Sequence, residues 1–318
     1  LTNYLLQRLF HGITVLIGVS MLVFIAVELA PGDAIDAMLP PESFSNPEVR
    51  ERMREDLGLN DPAPLRYAQW LGRTVTGDLG YSLTSQQPIA EIILKRLPTT
   101  LQLVGFALVI SIAVGVTTGV IAAIRHYSWV DYVTTFFSFF WISIPAFFMG
   151  LSLIYIFAVR LNWFPVFGAS SSAAEYPVFD RLHHLVLPGA TLGLELAAAL
   201  TRYTRASLLE VLHTDYLRTA RAKGLPERSV ITRHALKNAL IPVITVIAFR
   251  MPYLIGGAVI IETVFQWPGL GLLMLNAATQ KDYPLVMGLA LMVTLVVVLS
   301  SFLADVAYSL VDPRIRMR

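Results

Sequence analysis

The 318 residues contain no cysteine, which excludes both a disulfide framework and a thiolate metal site. Charge is scarce too, at 14% Asp, Glu, Lys and Arg, where a soluble domain carries about 25%. No Gly-x-x-x-x-Gly-Lys-Ser/Thr string occurs, so the chain has no cradle of that kind in which to hold and split a nucleotide. His-Glu-x-x-His is missing as well. His183 and His184 stand side by side, and adjacent side chains on a helix do not converge on one ion, so they read as solvated or interfacial groups. No repeat relates two halves of the chain, which weighs against the inverted architecture common in ion-driven carriers.

What is abundant is apolar: 55% of residues are hydrophobic and the mean hydropathy is +0.63. Six runs, at roughly 9–29, 100–124, 132–159, 185–204, 239–261 and 285–308, are long enough as helices to cross about 30 Å of hydrocarbon. The reading is an all-α polytopic membrane protein with six transmembrane helices. Arg8 precedes the first run as it would in a signal peptide, but the run is taken as a retained span.

Residues 202–238 carry eight Lys or Arg against three acids, and Arg314, Arg316 and Arg318 follow the last run. The positive-inside rule places these, with Arg8 and Arg125, in the cytoplasm, and an even number of spans puts both termini there. Residues 30–98, with seven basic and ten acidic side chains, fall outside as an insertion between the first two spans. This gives three parts: 1–29, the N-terminus and first span; 30–98, the extracytoplasmic segment; and 99–318, a five-helix core with a cytoplasmic loop at 205–238. In the outer segment Pro31 and Gly32 break the first span, 47–57 reads as a short charged helix and 57–62 as a turn. Tyr67, Trp70 and Leu71 mark an amphipathic or interfacial helix.

Pro145 and Pro252 interrupt the third and fifth spans, each removing a helical hydrogen bond, and so predict kinks. Aromatic residues in the loops at 162–168 and 262–271 read as interfacial anchors. Ionisable residues within spans call for a partner or a wet cavity, and Glu195 with Arg250 is the expected intramembrane ion pair, acting as a structural clamp or as a cargo contact.

The basic loop has internal order. Tyr216, Leu217, Ala220 and Gly224 form a narrow apolar stripe at i, i+1, i+4 and i+8, ringed by polar and basic residues, which predicts a helix built to dock. Gly224 suits the left-handed position that ends a helix, and Pro226 cannot continue it but can open the next. An amphipathic loop helix lying on anionic lipid is the alternative reading. RNA is a third basic-loop partner, but membrane orientation and protein docking account for the charge without nucleic acid.

The run Asp215, Tyr216, Leu217, Arg218, Thr219, Ala220, Arg221, Ala222, Lys223, Gly224 resembles the cytoplasmic EAA loop of ABC importer permeases, in the spelling of the dipeptide/oligopeptide/nickel subfamily. Arg218, Thr219 and Ala220 stand where the generic motif has Glu-Ala-Ala; the Glu is absent, and Pro242 lies farther from Gly224 than in the generic pattern. The loop at 262–271 and the terminal 312–316 string are also similar to that subfamily, so the resemblance extends from Arg8 to Arg316. It implies the ABC type I importer permease fold, and a bacterial or archaeal inner-membrane subunit, not an enzyme, whose residues 215–224 couple to ATPases. The partners it implies are a second homologous permease, two cytoplasmic ATPases that hold the ATP and Mg, and an extracytoplasmic substrate-binding protein. The implied cargo is di- or oligopeptide, with nickel, glutathione or sugar taken by related systems. The rival functions are an ion-coupled secondary transporter and a membrane anchor that moves nothing.

Overall fold

The computed structural model describes residues 2–30, 51–52, 54, 60–171 and 176–311, with side chains over 7–306 of these. The break at Pro31 and Gly32, most of the expected helix at 47–57 and turn at 57–62, and the string at 312–316 lie outside the described residues. Ten helices of eight residues or more are described: α1 Thr2–Glu28, α2 Ala63–Val75, α3 Ile89–Ile124, α4 Trp129–Ser143, α5 Ala146–Leu153, α6 Pro177–Leu212, α7 Asp215–Ala222, α8 Leu236–Val264, α9 Leu270–Thr279 and α10 Tyr283–Val311. Among the described residues the only β pairing is an isolated bridge between Tyr81 and Pro88.

Among the described residues five helices are long and apolar enough to cross a membrane: α1, α3, α6, α8 and α10. The residues of the sixth expected span form α4 and α5 with the turns that follow α5, bent by 108° at the break, so the described residues give five spans, or six if this pair counts as one. Pro145 explains the break, because a residue before proline is driven from the helical region, and Ile144 is extended at φ −98°, ψ 131°. The helix restarts when the Met149 amide donates to the Pro145 carbonyl at 3.1 Å. α5 then widens into π turns over Ile154–Arg160. Pro252 behaves differently from its expected interruption: α8 runs on through both Pro242 and Pro252. Pro98 lies inside α3, which begins at Ile89.

The chain divides into two compact units, one of 1–99 with 268–298, the other of 100–267 with 299–318. In the first, Ile89, Ile93, Leu270, Ala277, Leu285 and Leu289 form the buried core. Asp282, fully buried, organises the polar side of this unit. Its carboxylate accepts from the Ser82 hydroxyl at 2.5 Å, the Leu83 amide at 3.1 Å and the Thr84 hydroxyl at 2.9 Å, so its burial is offset by hydrogen bonds. α2 is the expected amphipathic helix and lies along the end of α1. Tyr67 shares a 2.8 Å hydrogen bond with Ser20 and sets its ring edge-on to Phe24, while Arg66 pairs with Glu28.

The second unit is built on α6, the most buried of the spanning helices at 72% of its apolar window. Its small residues let α3 approach at backbone distance. A Cβ on Gly193 would stand 2.6 Å from the Ala107 carbonyl oxygen, and one on Gly115 would stand 2.7 Å from that of Ala197. Small residues on both sides are how helices in lipid gain van der Waals contact where apolar burial gives no net drive. Thr118 and Thr201 close the same seam with a 2.7 Å hydrogen bond.

Candidate functional site

α6 ends at Leu212, and Thr214, extended at φ −76°, ψ 150°, turns the chain into α7. α7 has a polar sequence yet a fixed seat. Leu217 is fully buried and Ala220 nearly so, in a cluster with Ala123, Leu208, Val230, Ala235 and Ala239. This corrects the expected docking stripe: Leu217 and Ala220 face the chain's own core, because the neighbouring helix ends offer them apolar cover. The surface left outward consists of Asp215, Tyr216, Arg218, Thr219, Arg221, Ala222, Lys223 and Gly224, all exposed.

Gly224 stops the helix as expected, with φ +76° and its amide donating to the Arg221 carbonyl at 2.9 Å. Pro226 stands one residue outside the next short turn, Glu227–Ser229. Arg221 reaches across this corner with both arms of its guanidinium to Glu227, at 2.9 and 3.1 Å, hydrogen bonds that hold its pKa above the ordinary arginine value. Asn238 of α8 donates to the Tyr216 hydroxyl at 2.9 Å, and Ser207 of α6 donates to the Ala239 carbonyl at the same distance. α7 is therefore seated against the ends of α6 and α8 by the apolar cluster and strapped to α8 through Tyr216, while Ser207 ties α6 to α8.

A second tie was not legible in the sequence. Arg205 of α6 grips Asp131 of α4 through Nε at 2.6 Å and Nη2 at 2.8 Å, and the Tyr127 amide adds a third bond at 3.1 Å. Asp131 is buried and also follows Ser128, which caps α4. The only signal was a lone acid in a first helical turn, and 74 residues separate it from its partner.

Glu195 and Arg250 do not form the expected direct ion pair; Tyr253 stands between them. Its hydroxyl donates to Glu195 at 2.5 Å, and the Arg250 guanidinium carbon lies 5.5 Å from its ring centre. Two other expectations change with burial. His184, read as solvated or interfacial, is buried, with Nδ1 2.9 Å from the Asp180 carbonyl, while His183 lies 2.7 Å from the Trp163 carbonyl. Trp163 and Phe167 are exposed as anchors should be, but Phe265 and Trp267 are buried core residues. Glu262, near the C-terminal end of α8, is fully buried and accepts from Thr100 at 2.6 Å. Among the described residues no group of three or more His, Asp or Glu could hold a metal ion.

Residues 115–317 match the family described as binding-protein-dependent transport system inner membrane component, and residues 1–104 match its N-terminal model. The oligopeptide transport system permease protein AppB of Bacillus subtilis is 43% identical over 98% of both chains. The glutathione transport system permease protein GsiC of Escherichia coli K12 is 38% identical over 99% of both. Among solved structures, the inward-facing MetNI methionine ABC transporter superposes with a TM-score of 0.56 at 16% identity, over 70% of this chain and 96% of that one, which shows a shared fold. Full-length coverage, the α-helical spans and the family match agree: the chain belongs to the binding-protein-dependent inner-membrane components, the permease subunits of ABC importers, which are transport proteins and not enzymes.

Proposed function

We propose that the chain forms half of the translocation pathway of a peptide importer and that α7, residues 215–222 with Lys223 and Gly224, is the lever through which ATPases drive it. The supporting observation is the division of α7 into two faces. Leu217 and Ala220 lock it to the core, while Arg218, Thr219, Ala222 and Lys223 remain outward for a partner. A helix fixed on one side transmits a push as a rigid body and leaves its other side to receive it. Arg205 and Asp131 extend the rigid part to the turn before α4.

In this reading the coupling loop at 205–238 and both termini are cytoplasmic, 30–98 lies outside as an insertion, and 99–318 is the permease core. A second homologous permease completes the pathway, two ATPases bind ATP and Mg below, and a substrate-binding protein delivers cargo from outside. ATP-driven closure of the ATPases moves α7, and the spans exchange an inward-open for an outward-open arrangement. Di- and oligopeptides are the proposed cargo, supported by AppB, with glutathione second, supported by GsiC.

The test is a pair of charge reversals on the outward face, Arg218→Glu with Lys223→Glu, in the assembled transporter. Each side chain is exposed, so the subunit should insert and fold normally while losing co-purified ATPases and ATP-driven peptide uptake. If the variant keeps its ATPases and transports at the wild-type rate, but loses binding to anionic vesicles, the helix is a lipid-surface element and the lever assignment fails.

A further inference from the structure

Resting on the reading of this chain as half of a peptide pathway, one polar cluster goes further. Phe249, Arg250, Tyr253, Gly256 and Ile260 lie on the exposed side of α8, and Glu195 of α6 joins them through Tyr253. This cluster sits in the interior of spanning helices, where lipid would leave the charges unsolvated. Phe249 and Ile260 make the rest of this face apolar, but exposed charges at that depth belong against water, cargo or another protein.

The geometry of the charges narrows the choice. Where this chain needs a clamp it builds one, as Arg205 and Asp131 show with two short parallel bonds. Glu195 and Arg250 have every chemical reason to do the same and do not. A tyrosine holds them on its two ends, the hydroxyl on the carboxylate and the ring beneath the guanidinium. Among the described residues no carboxylate pairs with Arg250 and no cation pairs with Glu195. The guanidinium keeps its donor fork, and the carboxylate keeps acceptor positions beyond the one that Tyr253 uses.

We propose that this cluster is a transit-binding site for small zwitterions, in which Glu195 receives the ammonium end and Arg250 the carboxylate end of a short peptide. The two protein charges are spaced by one aromatic side chain, and their signs match the two ends of such a cargo. Tyr253 is a positioning residue for both charges, and its ring keeps them from collapsing on each other. A site of this kind must release what it binds, so single charge-assisted contacts at each end suit it better than a closed cage.

The native absence of cysteine makes a direct assay available. Gly256 is exposed and nothing lies within 4 Å of where its Cβ would be, so Gly256→Cys should fold and report on the face. In the reconstituted transporter, without binding protein, its modification by a sulfonated thiol reagent is followed with and without ATP and vanadate. Trialanine should slow the labelling, and N-acetyl-trialanine and trialanine amide should each need about tenfold more peptide, the loss of roughly one charge-assisted contact. Glu195→Gln should erase the difference made by the acetyl group, and Arg250→Gln the difference made by the amide.

A Gly256→Cys thiol that never reacts in any nucleotide state would mean that lipid or the second permease covers the face, and would overturn the proposal. Labelling that all three peptides leave alike would make it a wet wall without cargo contact, which overturns it equally. ATP-driven uptake by the unmodified transporter with its binding protein is measured beside this. Loss of that uptake would count against the importer reading itself, whereas normal uptake with indifferent labelling would remove only the transit site.

Discussion

Arg205 holds Asp131 through two parallel hydrogen bonds, 2.6 and 2.8 Å long, and so fastens the base of α6 to the first turn of α4. Asp131 is buried while Arg205 keeps 28% of its side chain exposed, so the acid bears most of the desolvation. The Tyr127 amide and the Ser128 cap draw the same turn inward. In the reading proposed above, a displacement of α7 passed to the end of α6 would reach α4 through this pair.

Removing either side of this clamp should be costly and unequal. Arg205→Gln leaves a buried carboxylate unpaired and is expected to cost about 3 kcal/mol. Asp131→Asn leaves a partly solvated arginine and should cost less. Arg205→Lys restores the charge without the fork and should recover only part of the loss. Thermal unfolding in detergent, followed by size-exclusion fluorescence, orders the three variants. An Arg205→Gln protein as stable as the wild type would show that the pair carries no load.

Much of the fold was legible because membrane spans announce themselves by length and hydropathy, and the helix stop at Gly224 by the left-handed conformation that glycine adopts at little cost. The inward direction of Leu217 and Ala220 was not. A stripe at helical spacing says that a helix has an apolar side, and nothing in the spacing distinguishes a partner's groove from the chain's own helix ends. Pro145 and Pro252 show the same limit: identical chemistry gives a 108° break in one helix and an unbroken run in the other. Long-range pairings such as Asp131 with Arg205, and the placing of Tyr253 between Glu195 and Arg250, depend on tertiary proximity that a single sequence does not encode locally.

The two faces of α7 should separate by mutation. Leu217→Ala empties a fully buried position and is expected to cost about 2–5 kcal/mol, loosening the seat of the helix. Thr219→Glu lies on the exposed face and should leave stability within about 0.5 kcal/mol. In the reading proposed above, the first change gives ATPase activity that no longer drives uptake, and the second weakens ATPase retention. Proteolysis of the loop and co-purification distinguish them; identical behaviour of the two variants would contradict the two-sided helix.

Topology can be checked with single cysteines at exposed positions in the cysteine-free chain. Thr76→Cys should react with an impermeant maleimide in sealed cells, and Arg228→Cys only after the membrane is opened. Labelling of the Arg228→Cys variant from outside would reverse the orientation assigned by the basic loop.

Three glycine-to-alanine changes should rank by three separate causes. At Gly115 the new Cβ would stand 2.7 Å from the Ala197 carbonyl oxygen and the same distance from the Leu200 Cβ, so α3 and α6 must part or shift. Overpacking of this sort costs about 1–3 kcal/mol. At Gly224 there is open space, but φ is +76°, and a left-handed alanine costs about 1–2 kcal/mol through backbone strain alone. At Gly256 neither objection holds: the position is helical and open, and alanine should be neutral or slightly stabilising. Size distinguishes the first two cases, since Gly115→Ser should be at least as harmful as alanine, whereas Gly224→Asn should be milder because asparagine tolerates the left-handed region. Thermal unfolding of the five variants tests the order. If Gly115→Ala is as stable as Gly256→Ala, the close seam between α3 and α6 is not the contact on which the second unit is built.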